Sequence, residues 1–289
     1  MASLPQTWRI QQFEAKLKKM KKLGITLFFI IFSNITFSQN EDANRYAESA
    51  RKFAKSGQYK LAIENYDKAI SINPKSAQVF HHRGISKAMI NDYNGALLDY
   101  SKSISLDKTD YEVFYNRGIS QYYLKDYLNA IQDLNESIKL NPSFAESHLF
   151  KGYCYSEQKN YTQAINELNI GLTLNPQNAD GFINRAICNI MISDNTKALD
   201  DASKSIVLNP ADTRGYNIRG QAKFQLKDFK GAESDFTIVL NNTPENIETL
   251  YNRLSARSEL GNKLGACEDY KKLLTLGEKA DSEWDTYCS

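Results

Sequence analysis

Residues 111–144 read YEVFYNRGISQYYLKDYLNAIQDLNESIKLNPSF, and residues 145–178 read AESHLFKGYCYSEQKNYTQAINELNIGLTLNPQN. Laid one over the other, Tyr127 falls on Tyr161, Ala130 on Ala164, Leu134 on Leu168 and Asn141-Pro142 on Asn175-Pro176. The same frame extends in both directions. Alanine recurs every 34 residues, at Ala62, Ala96, Ala130, Ala164, Ala198, Ala232 and Ala266. A fixed period of this length is the sequence mark of a solenoid, in which each unit stacks on the next. Seven units begin at Ala43, Ala77, Tyr111, Ala145, Ala179, Thr213 and Ile247, and together they cover 43–280.

Numbered from each unit's first residue, the register gives a helical hairpin. Position 4 is large (Tyr46, Phe80, Phe114, His148, Phe182, Tyr216, Leu250) and position 8 is small in every unit but the last, which has Leu254. Positions 4, 8 and 11 share one face of a first helix. Positions 20, 24, 27 and 28 share one face of a second, with Ala at 20 and Ile or Leu at 28. Small residues at 8 and 20 let the two backbones approach, and the large ones at 4 and 24 fill the space beside them. Turn residues such as Ser56-Gly57-Gln58 separate the two helices. Pro at position 32 in five units ends the second, because the residue before Pro is pushed out of the α region.

These columns resemble the tetratricopeptide repeat (TPR) family over 43–280, and Asn116-Arg117-Gly118 is similar to the start of its bacterial NRG-like repeats. The resemblance implies an all-α fold: antiparallel helix pairs stacked into a right-handed superhelix with a concave groove, closed by a capping helix. Residues 281–289 are positioned to supply that cap, with Trp284 and Tyr287 available to cover the last repeat.

Charge is unevenly distributed. Residues 1–38 hold six of the 36 Lys and Arg and one of the 34 acids, so the remainder carries a small acidic excess. That argues against a nucleic-acid footprint, which needs a basic stripe. The basic cluster precedes an apolar run, Leu23 to Phe32, and then Thr36 and Ser38 at the −3 and −1 sites of a signal peptide cleaved after Ser38. A retained signal anchor over 21–37 is the alternative, although a spanning helix needs ~20 apolar residues. Residues 39–42 read as a linker. The expected location is therefore exported, periplasmic or secreted, with membrane attachment only if the apolar segment is retained.

Two further columns change together. Position 7 is basic in units two to seven: Arg83, Arg117, Lys151, Arg185, Arg219 and Arg253. Position 23 is acidic in the same units: Asp99, Asp133, Glu167, Asp201, Asp235 and Asp269. Unit one has Ser49 and Asn65 instead. We read these as structural ion pairs within or between hairpins, because buried charges are usually paired. A basic stripe for an acidic ligand is the other reading.

By the same resemblance, positions 2, 5, 6, 9, 12 and 13 face the groove. The candidate partner residues are Tyr115, Asn116, Ile119, Tyr122, Tyr123, Leu149, Phe150, Tyr153, Ile183, Asn184, Ile187 and Met191. Such a stripe suits a protein or peptide segment; the alternative is that part of it is buried packing. The family's carboxylate clamp for chaperone tails is incomplete, since Asn116, Asn184 and Asn252 match only its middle member.

No phosphate loop, dinucleotide fingerprint, zinc-protease motif or nucleophile elbow is present. His81 and His82 are adjacent, about 100° apart on a helix, which is not a ligand spacing. His148 reads as a core filler. No catalytic residue, cofactor or metal is expected. Cys154 and Cys188 share position 10 and read as buried thiols; Cys267 and Cys288 read either as a disulfide pinning the cap or as two unpaired thiols. The functional expectation is a non-catalytic interaction scaffold of the cell envelope. The alternatives are a membrane-anchored assembly factor and an accessory subunit that recruits an envelope enzyme.

Overall fold

The computed structural model describes residues 41–279 and 281–289, so the signal-peptide reading of 1–38 lies outside the described residues. Among the described residues there are fifteen helices and no strand, an all-α helical-repeat solenoid. The described residues divide into two compact units, one ending at Thr109 and the other beginning at Asp110. The first contains α1 (41–55), α2 (Tyr59–Ile72), α3 (Ala77–Ala88) and α4 (Tyr93–Leu106). The second contains α5 (Tyr111–Tyr123), α6 (Tyr127–Leu140), α7 (Ala145–Glu157), α8 (Tyr161–Leu174), α9 (Ala179–Met191) and α10 (Asn195–Leu208). It continues through α11 (Thr213–Gln225), α12 (Phe229–Asn242), α13 (Ile247–Glu259), α14 (Lys263–Thr275) and α15 (Ser282–Cys288). Residues 41 and 42, read from sequence as linker, already belong to α1, where Asp42 pairs with Arg45 one turn on.

Each hairpin turns on a single left-handed residue at position 15: Gly57, Asn91, Lys125, Lys159, Ser193, Lys227 and Gly261. Five of the seven are not glycine, so the flanking hydrogen bonds must hold a conformation that L residues disfavour by roughly 1–2 kcal/mol. In every hairpin but the first, where Gln58 makes no such bond, the side chain of the next residue caps the second helix. Asp92, Asp126, Asn160, Asp194, Asp228 and Asn262 each accept a backbone N–H three residues on.

The close approach of the two helices is set at positions 8 and 24. The ring of Tyr100 lies on Gly84, Leu134 on Gly118, Leu168 on Gly152 and the ring of Phe236 on Gly220. Where position 24 shrinks to Ala202, position 8 is Ala186, and both are fully buried. In repeats two to six the two columns therefore complement each other in volume, whereas repeat seven packs Leu254 with Tyr270.

The columns at 7 and 23 meet inside each hairpin. Arg83 forks onto Asp99 at 2.9 and 2.6 Å, Arg117 onto Asp133 at 2.7 and 2.7 Å, and Arg185 onto Asp201 at 2.8 and 2.7 Å. Arg219 and Arg253 do the same with Asp235 and Asp269, and Lys151 Nζ lies 2.7 Å from Glu167. The five aspartate side chains are 2–8% exposed. Hydrogen bonding to Asp235 holds the Arg219 guanidinium above its already high ordinary value, so that rung stays charged. Four of these arginines also lie over the position 4 ring, at 5.4–5.8 Å from its centre.

A third column joins them. At position 11, Lys87, Lys223 and Arg257 lie 2.7–3.0 Å from the same aspartates, and Asn189 donates to Asp201 at 3.3 Å. His148 is buried, but it is not an apolar filler: its Nδ1 lies 2.8 Å from Glu167. Repeat four replaces Arg by Lys and Asp by the longer Glu, and position 4 completes the network there.

The cap is α15. Trp284 packs against Tyr270, whose hydroxyl donates to Asp285 at 2.8 Å and accepts the Asp281 N–H at 2.8 Å. Asp281 caps this helix rather than belonging to it.

Two outcomes test this packing. Alanine normally improves on glycine in a helix by about 1 kcal/mol, but a Cβ on Gly220 would stand 2.6 Å from Phe236. Gly220→Ala should lower the thermal midpoint, by an equivalent of about 1–3 kcal/mol; an unchanged or raised midpoint would mean that the ring gives way. Arg117→Ala leaves Asp133 buried without its fork and should cost about 3 kcal/mol. Arg45→Ala, which breaks the exposed pair with Asp42, should cost under about 0.5 kcal/mol.

Candidate functional site

Within residues 110–289, each first helix of a repeat touches the first helix of the next: α5 touches α7, then α9, α11 and α13 follow in turn. No two second helices touch. The helices α5, α7, α9, α11 and α13 therefore form the crowded inner layer of this unit and line its concave face.

Ten of the twelve candidate groove residues are at least partly exposed on that layer. Tyr123 and Met191 are the most open, at 54% each. Leu149 and Ile183 are not groove residues: each is 2% exposed and serves packing. Leu149 fills the space left by the absent side chains of Gly171 and Gly181, and position 5 is buried as well at Ala47, His81 and Ile183. Asn184 spends its amide on the Asp180 carbonyl of its own helix, at 2.9 Å.

The aromatic members form one interlocked wall. Tyr115 meets Phe144 at 4.9 Å and Phe150 at 5.7 Å, both edge to face. Tyr122 meets Phe150 at 6.0 Å and Tyr127 at 5.6 Å, and Tyr153 meets Phe150 at 5.2 Å. Burial raises the phenol of Tyr122 to about 12, with nearby Glu157 adding to the effect. Burial also pushes up Tyr115 and Tyr153, next to Glu146 and Asp180 respectively. These phenols stay protonated and available as donors. Sequence reasoning missed Phe144 and Tyr127, because they lie at a helix boundary and on a second helix, although Tyr127 belongs to an aromatic column with Tyr59, Tyr93, Tyr161 and Phe229.

Further along, a recess of about 270 Å³ is lined by Ile190, Gln221, Phe224, Gln225, Phe236, Glu248, Asn252 and Ser255. It lies on repeats five to seven. The concave face thus changes along its length from rings to amides. Among the described residues no group of three or more His, Cys, Asp or Glu is placed to hold a metal. His81 and His82, in the first unit, stack on each other at 5.5 Å, between Tyr66 and Tyr100.

Residues 50–89 match a family model described as TPR repeat, and 111–144 and 145–178 match models described as tetratricopeptide repeat. The chain belongs to the tetratricopeptide repeat family. The last two matches coincide with repeats three and four as framed above. No curated protein matches the chain.

Solved TPR structures share the fold. PilF of Pseudomonas aeruginosa is 18% identical, with a TM-score of 0.66 over 77% of this chain and 99% of that one. A tetratricopeptide repeat protein of Parabacteroides merdae is 19% identical, with a TM-score of 0.62 over 86% and 98%. YrrB, a TPR protein with an unusual peptide-binding site, is 21% identical, with a TM-score of 0.53 over 64% and 95%.

The four cysteines of this TPR chain fall into two kinds. Cys267 on α14 and Cys288 on α15 are bonded, with Cα atoms 5.4 Å apart and a sequence separation of 21. Cys154 and Cys188 are free and buried. Burial pushes the Cys154 thiol up to about 12 and raises Cys188 as well, so neither offers a thiolate near neutral pH. Iodoacetamide at pH 8 should modify no cysteine in the folded, unreduced protein. Denaturation without reduction should expose two sites, Cys154 and Cys188, and reduction should add the others. Mass spectrometry reads the count, and labelling of Cys267 or Cys288 before reduction would refute the assignment.

Proposed function

We propose that this TPR protein is a non-catalytic protein–protein interaction scaffold that holds an extended partner segment along the concave face of residues 110–289. The observation that carries the reading is the interlocked wall of Tyr115, Tyr122, Phe150 and Tyr153, left partly open on closely spaced inner helices. Rings fixed against one another lose little freedom on binding, so their apolar area is available at low entropic cost. The facing groups are aromatic, aliphatic and amide side chains, which suit recognition without bond chemistry. The peptide-binding site named for YrrB is consistent with this use of the fold.

We place the protein in the cell envelope. The basic cluster before Leu23–Phe32 supports export, and the Cys267–Cys288 bond fits an oxidising compartment. The second reading is a membrane-anchored assembly factor, or an accessory subunit recruiting an envelope enzyme, if 21–37 is retained. Fractionation distinguishes them: a protein released with the soluble envelope contents has lost the segment.

The combined variant Tyr115→Ala, Ile119→Ala, Phe150→Ala and Ile187→Ala should fold, by circular dichroism, and lose partner capture in native crosslinking by at least about a hundredfold, since each truncated anchor is typically worth about 1 kcal/mol or more. Undiminished capture by the folded variant would rule the groove out.

A further inference from the structure

The carboxylates of the groove differ from those of the scaffold. Every position 23 acid in repeats two to seven has a cationic partner, as described above. Glu112, Glu146, Glu157 and Glu248, on the concave face, pair with no lysine or arginine among the described residues. Their contacts are neutral: Tyr111 Oη at 3.3 Å, Asn175 Nδ2 at 3.5 Å, Tyr127 Oη at 3.4 Å and Gln221 Nε2 at 3.2 Å respectively. Within residues 110–289 the one cation at a groove position, Arg214, is taken up by Asp180 and Asp212.

An occupant that covers these carboxylates without supplying charge strips water from them uncompensated, and an acidic occupant is repelled. Rings stand beside two of them, Tyr115 near Glu146 and Tyr122 near Glu157. A lysine or arginine stem can lie on such a ring while its head reaches the carboxylate.

Spacing narrows the ligand further. Glu112 and Glu146 lie in the first turns of α5 and α7, which are packed as neighbours. Packed helices lie about 8–10 Å apart. A polyproline-type chain rises ~3.1 Å per residue with three residues per turn, so side chains i and i+3 point the same way, about 9 Å apart.

We propose that the groove of repeats three and four selects an extended peptide segment with lysine or arginine three residues apart around apolar side chains, the cations meeting Glu112, Glu146 and Glu157. This rests on the peptide-groove reading and adds the charge and spacing of the partner.

The test uses the full chain and fluorescence anisotropy with three short peptides. They share one apolar sequence and carry Lys, Gln or Glu at two positions three apart. The Lys peptide should bind about tenfold tighter than the Gln peptide, the sum of a few exposed pairs, and the Glu peptide should bind most weakly. The advantage should shrink as salt shortens the screening length. Glu112→Gln with Glu146→Gln and Glu157→Gln should abolish the preference and leave Gln-peptide affinity unchanged. Glu136→Gln with Asp200→Asn and Glu268→Gln removes the same charge from exposed sites on the second helices and should leave the preference intact. Equal binding of the Gln peptide, or an equal loss from the second-helix variant, overturns the charge selection and leaves the groove reading standing. If no peptide binds, including versions with other apolar residues, the groove reading itself fails.

Discussion

A carboxylate buried at position 23 is the constraint on which each hairpin from repeat two to repeat seven depends. An aspartate 2–8% exposed is tolerable only if cations reach it, and the first helix supplies them from positions 7 and 11. This locks the rotation of the first helix against the second, because the fork closes only when position 7 faces the partner helix. The rotation decides which side chains are left for the concave face. The cations at positions 7 and 11 of the inner helices are turned to these pairs and away from the concave face.

Much of this architecture is legible in sequence, because a repeat displays each position several times. The period, the hairpin boundaries and the co-variation of positions 7 and 23 are all visible in a single chain. What stays hidden is whatever varies between repeats or depends on backbone geometry. The left-handed turn at position 15 is occupied by Asn, Lys, Ser and Gly, and no residue type announces it. The volume exchange between positions 8 and 24 shows itself only once Ala186 and Ala202 are seen in contact with their own hairpin rather than as exceptions. Position 11 of repeats two to seven carries Lys, Gln, Tyr, Asn and Arg, so the contact that Lys87, Asn189, Lys223 and Arg257 make with position 23 is masked by changing chemistry.

The candidate groove was legible to a similar degree: ten of its twelve residues are at least partly exposed, and the burial of Leu149 and Ile183 was hidden for the same reason. A face inferred from register assumes that every repeat is rotated alike and carries the same neighbours. Position 5 breaks that assumption, since it is buried at Ala47, His81, Leu149 and Ile183 but exposed at Tyr251, and Gly171 and Gly181 open the space that Leu149 enters. His148 broke the reading of position 4 in repeat four, since its ring nitrogen completes the bonding of a longer acid.

The variable residues also make the concave face directional. Its first part offers aromatic rings flanked by carboxylates that no cation neutralises, and its later part offers the amides of Gln221, Gln225 and Asn252 around a recess. Rings and carboxylates discriminate between side chains, whereas amides can pair with any peptide backbone. A segment lying across such a face meets selective groups at one end and permissive ones at the other, so reversing it would exchange matched contacts for mismatched ones. A solenoid of identical repeats would lack that asymmetry. Orientation of the partner therefore comes from the departures between repeats, held in place by the pairs that the repeats share.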